Sequence, residues 1–487
     1  MNGPLVAAVF ALGLIQPVVF AQGANADSGA SSRGELGNEV VLARGTAGPA
    51  GARVMDAPTA WNTFMGDAGN LGVSALNFPG PSAALQWRFR PDDHVWSYEH
   101  GAGPWSASAA TCYLPGRALV LIGSYDHNLY ALEMTSGEEV WRFTAGGRID
   151  AAPAILCRQD DALVFVAACD RTIYALEAAT GRPVWTFEVY PWSPTVPPAT
   201  AGSPCLATID GESLVLCSVW INDHKPFANV QRGELLALTA ETGSLRWRRT
   251  LSSTALTSPA VGDPAGEPLV FIAAEDGRVH ALKARTGETV WDHGTSAPIH
   301  ASCSYRAPGR VDGASAQSEA ETNTASGQLV VGNDWGMLTA LNAESGQEIW
   351  TYKAGHAIHA TAALLPTPAG DCWLFGSFDR RVHAISVASG KPVWIAATGD
   401  LIRSSALVTR VAGEPAVAVY SLDRLLYLLD GASGEQLGSF ETGGYLWPLY
   451  TRGESIGSAP CPAQAGTEPL LILPADDGVV YAVRWQR

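Results

Sequence analysis

The chain has 487 residues, 47% of them hydrophobic, enough to build a large core but more than one average globular domain needs. Its formal charge of −16 and pI near 5.0 leave no basic field to recruit nucleic acid or anionic lipid, and nucleic acid is excluded as a partner. Fifty-one Gly, 31 Pro and 16 Trp favour short strands joined by turns.

Met1 to Ala26 holds an apolar run from Val6 to Ala21 followed by small-residue cleavage positions, as a secretory signal peptide does, although no Lys or Arg precedes the run. Residues 27–57 are rich in Gly, Ala and Ser and read as a flexible linker. The folded part is expected over 58–487. No Cys precedes Cys112, so no lipid anchor near the leader and no stable membrane anchor are expected.

From Tyr130 onward one twelve-residue phrase recurs. It reads YALEMTSGEEVW at Tyr130 to Trp141 and is rewritten from Tyr174, Leu236, His280, Thr339, His383 and Tyr427. Each copy carries Gly at its eighth place between two short apolar runs, the mark of a β-hairpin. The starts are 44, 62, 44, 59, 44 and 44 residues apart, so a unit of 44 is lengthened by 18 and by 15 at two places. Two further apolar runs precede each hairpin, giving four strands per unit, and four strands in 40–50 residues is the signature of a propeller blade. An eighth first strand at Tyr481 to Val483 lacks its partner, and an orphan outer strand at Leu85 to Phe89 can supply it. The expected fold is therefore all-β, an eight-bladed propeller whose two termini close one blade, with seven blades as the alternative.

The Trp ending each phrase is expected to pack between neighbouring blades, its indole N–H on a carbonyl; Gly438 replaces it in the last copy and marks a weak interface. An Asp four places before the phrase recurs at 126, 170, 276, 379, 423 and 477 and is read as a turn former. Eight Cys stand in no metal-binding spacing. Cys205 and Cys217 flank Asp210-Gly211-Glu212 symmetrically and are either a disulfide across a hairpin or two buried small residues.

Measured from the Trp, the position nine residues later should ring one mouth of the central channel. It is Trp96, Asp150, Pro194, Leu256, His300, His359, Arg403 and Trp447 in chain order. His300, His359 and Arg403 could hold an anionic or carbonyl-bearing ligand on which Trp447 stacks, with Asp150 and Trp96 completing the mouth; the competing reading is a water-filled channel lined by solvated groups. Two His without a third ligand make a poor metal site, and none is expected. The insertions at Tyr190 to Pro198 and Trp220 to Gln231 are aromatic and Pro-bearing and suit a protein contact, whereas Gly309 to Gly327 reads as a disordered loop.

The phrase Y-A-L-x-x-x-T/S-G-x-x-x-W resembles the repeat of the quinoprotein (PQQ-dependent) alcohol dehydrogenase-like propellers over about Trp61 to Arg487, and Trp61 to Asp67 resembles the opening segment of PQQ-like repeat proteins. For that family's dehydrogenases the resemblance implies a PQQ cofactor, an Asp base, acidic calcium ligands and adjacent cysteines against the quinone. This chain has no Cys-Cys pair, and no acidic residue matches those motifs, so no catalytic residue carries over. The lipoprotein propeller of the outer-membrane β-barrel assembly machinery belongs to another branch that this chain resembles at the level of repeats. The expectation is an exported, non-catalytic propeller binding a protein or a small anionic ligand; the alternative is a PQQ-dependent oxidoreductase with a non-standard site.

Overall fold

The computed structural model describes residues 64–91, 108–190, 202–225, 228–255, 257–308, 327–443, 459–466, 468–475 and 478–487. They form eight sheets, each built on four antiparallel strands, and in seven of them one hairpin phrase makes the outer half. Blades I to VIII take their innermost strands at Ala110–Leu114, Ala154–Cys157, Cys205–Ile209, Ala260–Gly262, Ser304–Arg306, Ala363–Leu365, Leu407–Val411 and Cys461–Ala465. The outermost strand of blade VIII is Ser82–Phe89, antiparallel to Val480–Gln486, so a strand from the start of the ring and the last strand share one sheet and close the ring. The leader and linker expected over residues 1–57 lie outside the described residues, as do Trp61 and most of 309–327.

The hairpin phrase folds as its Gly demands. Gly137 has φ 73°, and a side chain there would meet the Trp87 ring of the preceding blade, with Cβ only 2.5 Å from Cε3. Each repeat Trp donates its indole N–H to the carbonyl of the fifth phrase residue in the next blade: Trp141 to Ala178 at 3.0 Å, Trp291 to Ala343 at 3.1 Å and Trp394 to Gly431 at 2.9 Å are three of seven such bonds. The Gly and the Trp are thus two halves of one inter-blade joint. Gly438 does not leave a gap: Pro81 and the fully buried Trp485 of blade VIII stand against it, filling from the other side the place of the missing ring.

The turn Asp residues do what turn chemistry suggests. Asp126, Asp170 and Asp423 each accept the backbone N–H two residues on and the hydroxyl of the Tyr opening the phrase at 2.6 Å. Asp170, Asp379 and Asp423 also accept a Gly N–H from the loop leaving the preceding blade, at 2.7–2.9 Å.

Two corrections follow. Cys205 lies opposite Leu216, not Cys217. The hairpin turns on the two-residue pair Asp210-Gly211, both with positive φ, which moves the register by one residue and sends the two thiols to opposite faces. Cys205 packs between blades III and IV and Cys217 between II and III; both are free and buried. Burial pushes the Cys205 thiol up to about 12.

The second correction concerns the channel, which is occupied by the chain itself. Val73–Phe78 adds to blade VII as a fifth, parallel strand on the axial side of Leu407–Val411. Just before it, the carbonyls of Ala68, Gly69, Leu71 and Gly72 accept the backbone N–H groups of Val261, Tyr305, Leu364 and Val408 at 2.6–2.8 Å, one from each of blades IV to VII. Asn70, buried and in the left-handed region at φ 57°, donates from Nδ2 to Cys303 O at 3.0 Å and Pro259 O at 3.4 Å. N–H groups that would otherwise face an open bore are satisfied by this crossing segment.

Candidate functional site

In each blade the loop entering the innermost strand and the turn between the two middle strands lie at the same end, because the four strands alternate in direction. That end is the mouth. Eight residues past the Trp stands an Ile in four blades, Ile149, Ile299, Ile358 and Ile402, each no more than 1% exposed. Three of them press on a Gly ending the second strand: a Cβ at Gly123, Gly332 or Gly376 would come within 2.3, 2.3 or 2.1 Å of the Ile. Burying this side chain inward turns the next residue toward the mouth, which is why the residue nine past the Trp is Asp150, His300, His359 or Arg403.

Those side chains meet a second ring, the residue just before the turn Asp, that the Trp ruler alone did not reveal. It is Tyr125, Cys169, Glu275, Asp334, Phe378 and Leu422 in blades I, II, IV, V, VI and VII. In the sector of blades I and II, Arg148 holds Asp150 at 2.9 Å and lies 5.2 Å over the Tyr125 ring, while the Cys169 thiol donates to Asp150 at 3.3 Å. In the sector of blades V and VI, His359 Nε2 is 3.0 Å from Asp334 Oδ1 and His300 Nε2 is 3.5 Å from Asp334 Oδ2. The two imidazole centroids are 4.9 Å apart. His359 rests 4.5 Å from the Phe378 ring, and the Arg403 guanidinium lies 5.5 Å over that same ring.

The charges in this sector are coupled. Burial alone would lower His300, but Asp334 and Glu275 outweigh it and its pKa is raised. His359 is lowered, first by burial and then by the neighbouring His300 and Arg403. Asp334 would be raised by burial, yet the two imidazoles hold it far below the usual carboxylate range. Its loop is fixed from behind by Asn333, fully buried, whose Oδ1 accepts the N–H groups of Trp335 and Met337 and whose Nδ2 donates to Thr295 O.

Below the mouth runs a belt of hydroxyls that sequence reading missed. The N–H of Ala152 donates to Ser203 Oγ, that of Ser203 to Ser258, Ser258 to Ser302, Ser302 to Thr361 and Thr361 to Ser405, each 2.9–3.2 Å across a blade boundary. The signal was available, since Ser258, Ser302, Thr361 and Ser405 each stand eleven residues after a Trp. Of the expected mouth residues, the structure brings His300 and His359 together, sets Arg403 beside them, and ties Asp150 to Arg148 in another sector; Trp96, Trp447, Pro194 and Leu256 lie outside the described residues. Trp335 projects at the same end, 61% exposed, at the place where six other blades carry the turn Asp.

The comparisons agree with this architecture. A protein structure similar over 87% of this chain and 80% of its own is the quinohemoprotein alcohol dehydrogenase from Comamonas testosteroni, at TM-score 0.63 and 12% identity. Another is Saccharomyces cerevisiae Sqt1, at TM-score 0.56, 11% identity and coverage of 84% and 99%. Likenesses at such identity speak to the fold alone. Among curated proteins, the outer membrane protein assembly factor BamB of Yersinia pestis is 25% identical over 135 residues, a match spanning 28% of this chain and 30% of that protein. The family model described as outer membrane protein assembly factor BamB matches residues 80–272, 220–316 and 275–484, nearly the whole ring. The chain belongs to that family of PQQ-like repeat propellers.

Proposed function

We propose that this protein is an exported, non-catalytic scaffold that holds a protein partner against the mouth end of its ring, in the manner the name of its BamB relative suggests, assembly of outer membrane proteins. The observation that carries the reading is Trp335. Its indole, 61% exposed at the tip of a turn, offers an aromatic anchor of the kind enriched at the centre of protein contacts. The same end carries the insertion in blade III, where Glu212–Lys225 and Ala228–Thr239 pair in register from Leu214 to Lys225 as a ribbon longer than any other middle-strand pair. Tyr190, at the exit of blade II, braces the base of that ribbon: it donates to Glu234, and the Arg248 and Arg232 guanidiniums lie 4.9 and 5.5 Å over its ring. With residues 64–78 across the axis, a ligand has the mouth to bind and not the bore. Export rests on the leader at Met1 to Ala26.

A photo-crosslinking residue at position 335 or 223, introduced in the full chain in cells, should yield one and the same discrete protein adduct from both positions. Trp335→Ala should abolish the adduct formed from position 223. No adduct from either position, together with dye reduction by the purified chain supplied with PQQ, calcium and an alcohol, would replace the scaffold by an oxidoreductase.

A further inference from the structure

Three nitrogen and oxygen donors converge at one point of the mouth from three different segments. His300 comes from the loop entering blade V, Asp334 from the middle turn of the same blade, and His359 from the loop entering blade VI. Their nearest ligand atoms all lie within 4.8 Å of one another. Around a tetrahedral zinc ion with bonds of roughly 2.0–2.2 Å, neighbouring donors stand about 3.3 Å apart. The two nitrogen–oxygen separations here, 3.0 Å from His359 to Asp334 Oδ1 and 3.5 Å from His300 to Oδ2, fall on either side of that spacing, so that a turn of the carboxylate brings one oxygen to both imidazoles.

We propose that His300 Nε2, His359 Nε2 and the Asp334 carboxylate bind a divalent transition-metal ion of the zinc class, leaving one coordination position open toward the mouth. Two imidazoles select against calcium and magnesium, which take oxygen donors, and no thiolate is present to favour a softer ion. The donors are held before any ion arrives. Ile299 and Ile358 anchor the two histidine loops, and Asn333 clamps the turn under Asp334, which also donates its backbone N–H to Pro298 O at 3.0 Å. Nothing in the repeat requires this combination, since the same two positions carry Asp and Cys in the sector of blade II. Arg403, the next mouth residue round the ring, sets a positive charge beside the open position, so that a small anion would complete the coordination. The alternative is a purely hydrogen-bonded cluster in which one carboxylate bridges two imidazoles.

The two are separated by stripping the full chain with a chelator and titrating it with Zn²⁺ against a chromophoric competitor, and with Co²⁺ to read the visible bands of a four-coordinate site. The proposal expects one ion per chain. His359→Ala and the isosteric Asp334→Asn should weaken binding by roughly 100-fold or more, since outer partners of metal ligands already account for 10–100-fold. His356→Ala, at the same mouth but outside the donor set, should leave it intact. Circular dichroism confirms that each variant keeps its strands, and Asp334→Asn preserves shape should an alanine variant fail to fold. Absence of stoichiometric binding in the wild type, or wild-type affinity retained in both Asp334→Asn and His359→Ala, overturns the site and leaves the hydrogen-bonded cluster.

Discussion

The sector of blades I and II and the sector of blades V and VI are built on the same backbone positions and reach different chemical ends. In the first, Asp150 is taken up by Arg148 from its own loop at 2.9 Å and by the Cys169 thiol at 3.3 Å, so its charge is spent within the protein. In the second, the carboxylate is Asp334 and its neighbours are two imidazoles that can shed protons and turn lone pairs outward. The repeat decides where a side chain stands. The substitution at that place decides whether the result is a closed ion pair or an open donor set.

The largest expected effect tests whether the two sectors share one scaffold. Trp141→Ala and Trp291→Ala each remove a ring lying against a Gly of the next blade, Gly181 and Gly346, and an indole bond to its carbonyl. Each should cost about 3–5 kcal/mol of stability, read from denaturant or thermal unfolding; a loss in one variant alone would mean that the blades are not equivalent joints. Next come the anchors beneath the mouth. Ile149→Ala and Ile358→Ala should each cost roughly 2–4 kcal/mol, but only Ile358→Ala should also weaken zinc binding, because Ile149 aims Asp150 and Ile358 aims His359. Equal zinc affinity in both variants would show that the loop anchor does not position the donor.

How much of this was legible beforehand follows from what repeats. Blade count, ring closure and the mouth positions of Asp150, His300, His359 and Arg403 could be read because each is tied to a Trp at fixed spacing. Asp334 was passed over because the ruler followed the turn Asp, and blade V carries Trp335 at that place, one residue later. The crossing segment 64–78 was opaque for a different reason: it occurs once, has no phrase, and pairs in parallel with a strand more than 300 residues away, from Val73 to Val408. A contact so distant leaves no local pattern. The register of Cys205 turned on whether its hairpin has a two- or three-residue turn, and a shift of one residue exchanges the faces.

The smallest expected effect lies in that crossing segment. Asp67 is accessible to solvent yet enclosed by the ring, and burial pushes its carboxyl up to about 6 from an ordinary 3.8, against the lowering effect of hydrogen bonds from Leu71, Gly69 and Asn70. A raised carboxyl favours folding fully below the unfolded value, and that contribution is lost as pH rises through about 6. Asp67→Asn keeps an acceptor for the Leu71 N–H, 3.1 Å away, and removes the charge. It should therefore raise Tm relative to the wild type near pH 7.5, modestly because solvent screens the group, and leave it unchanged near pH 4. The same shift at both pH values would assign the effect to packing.

The contrast between the sectors is tested most directly by counting bound zinc in Asp334→Asn and Asp150→Asn side by side, each a carboxylate lost at the mouth of the same ring. The account predicts one ion per chain retained in Asp150→Asn and none at the same zinc concentration in Asp334→Asn. Equal occupancy in the two variants would contradict it.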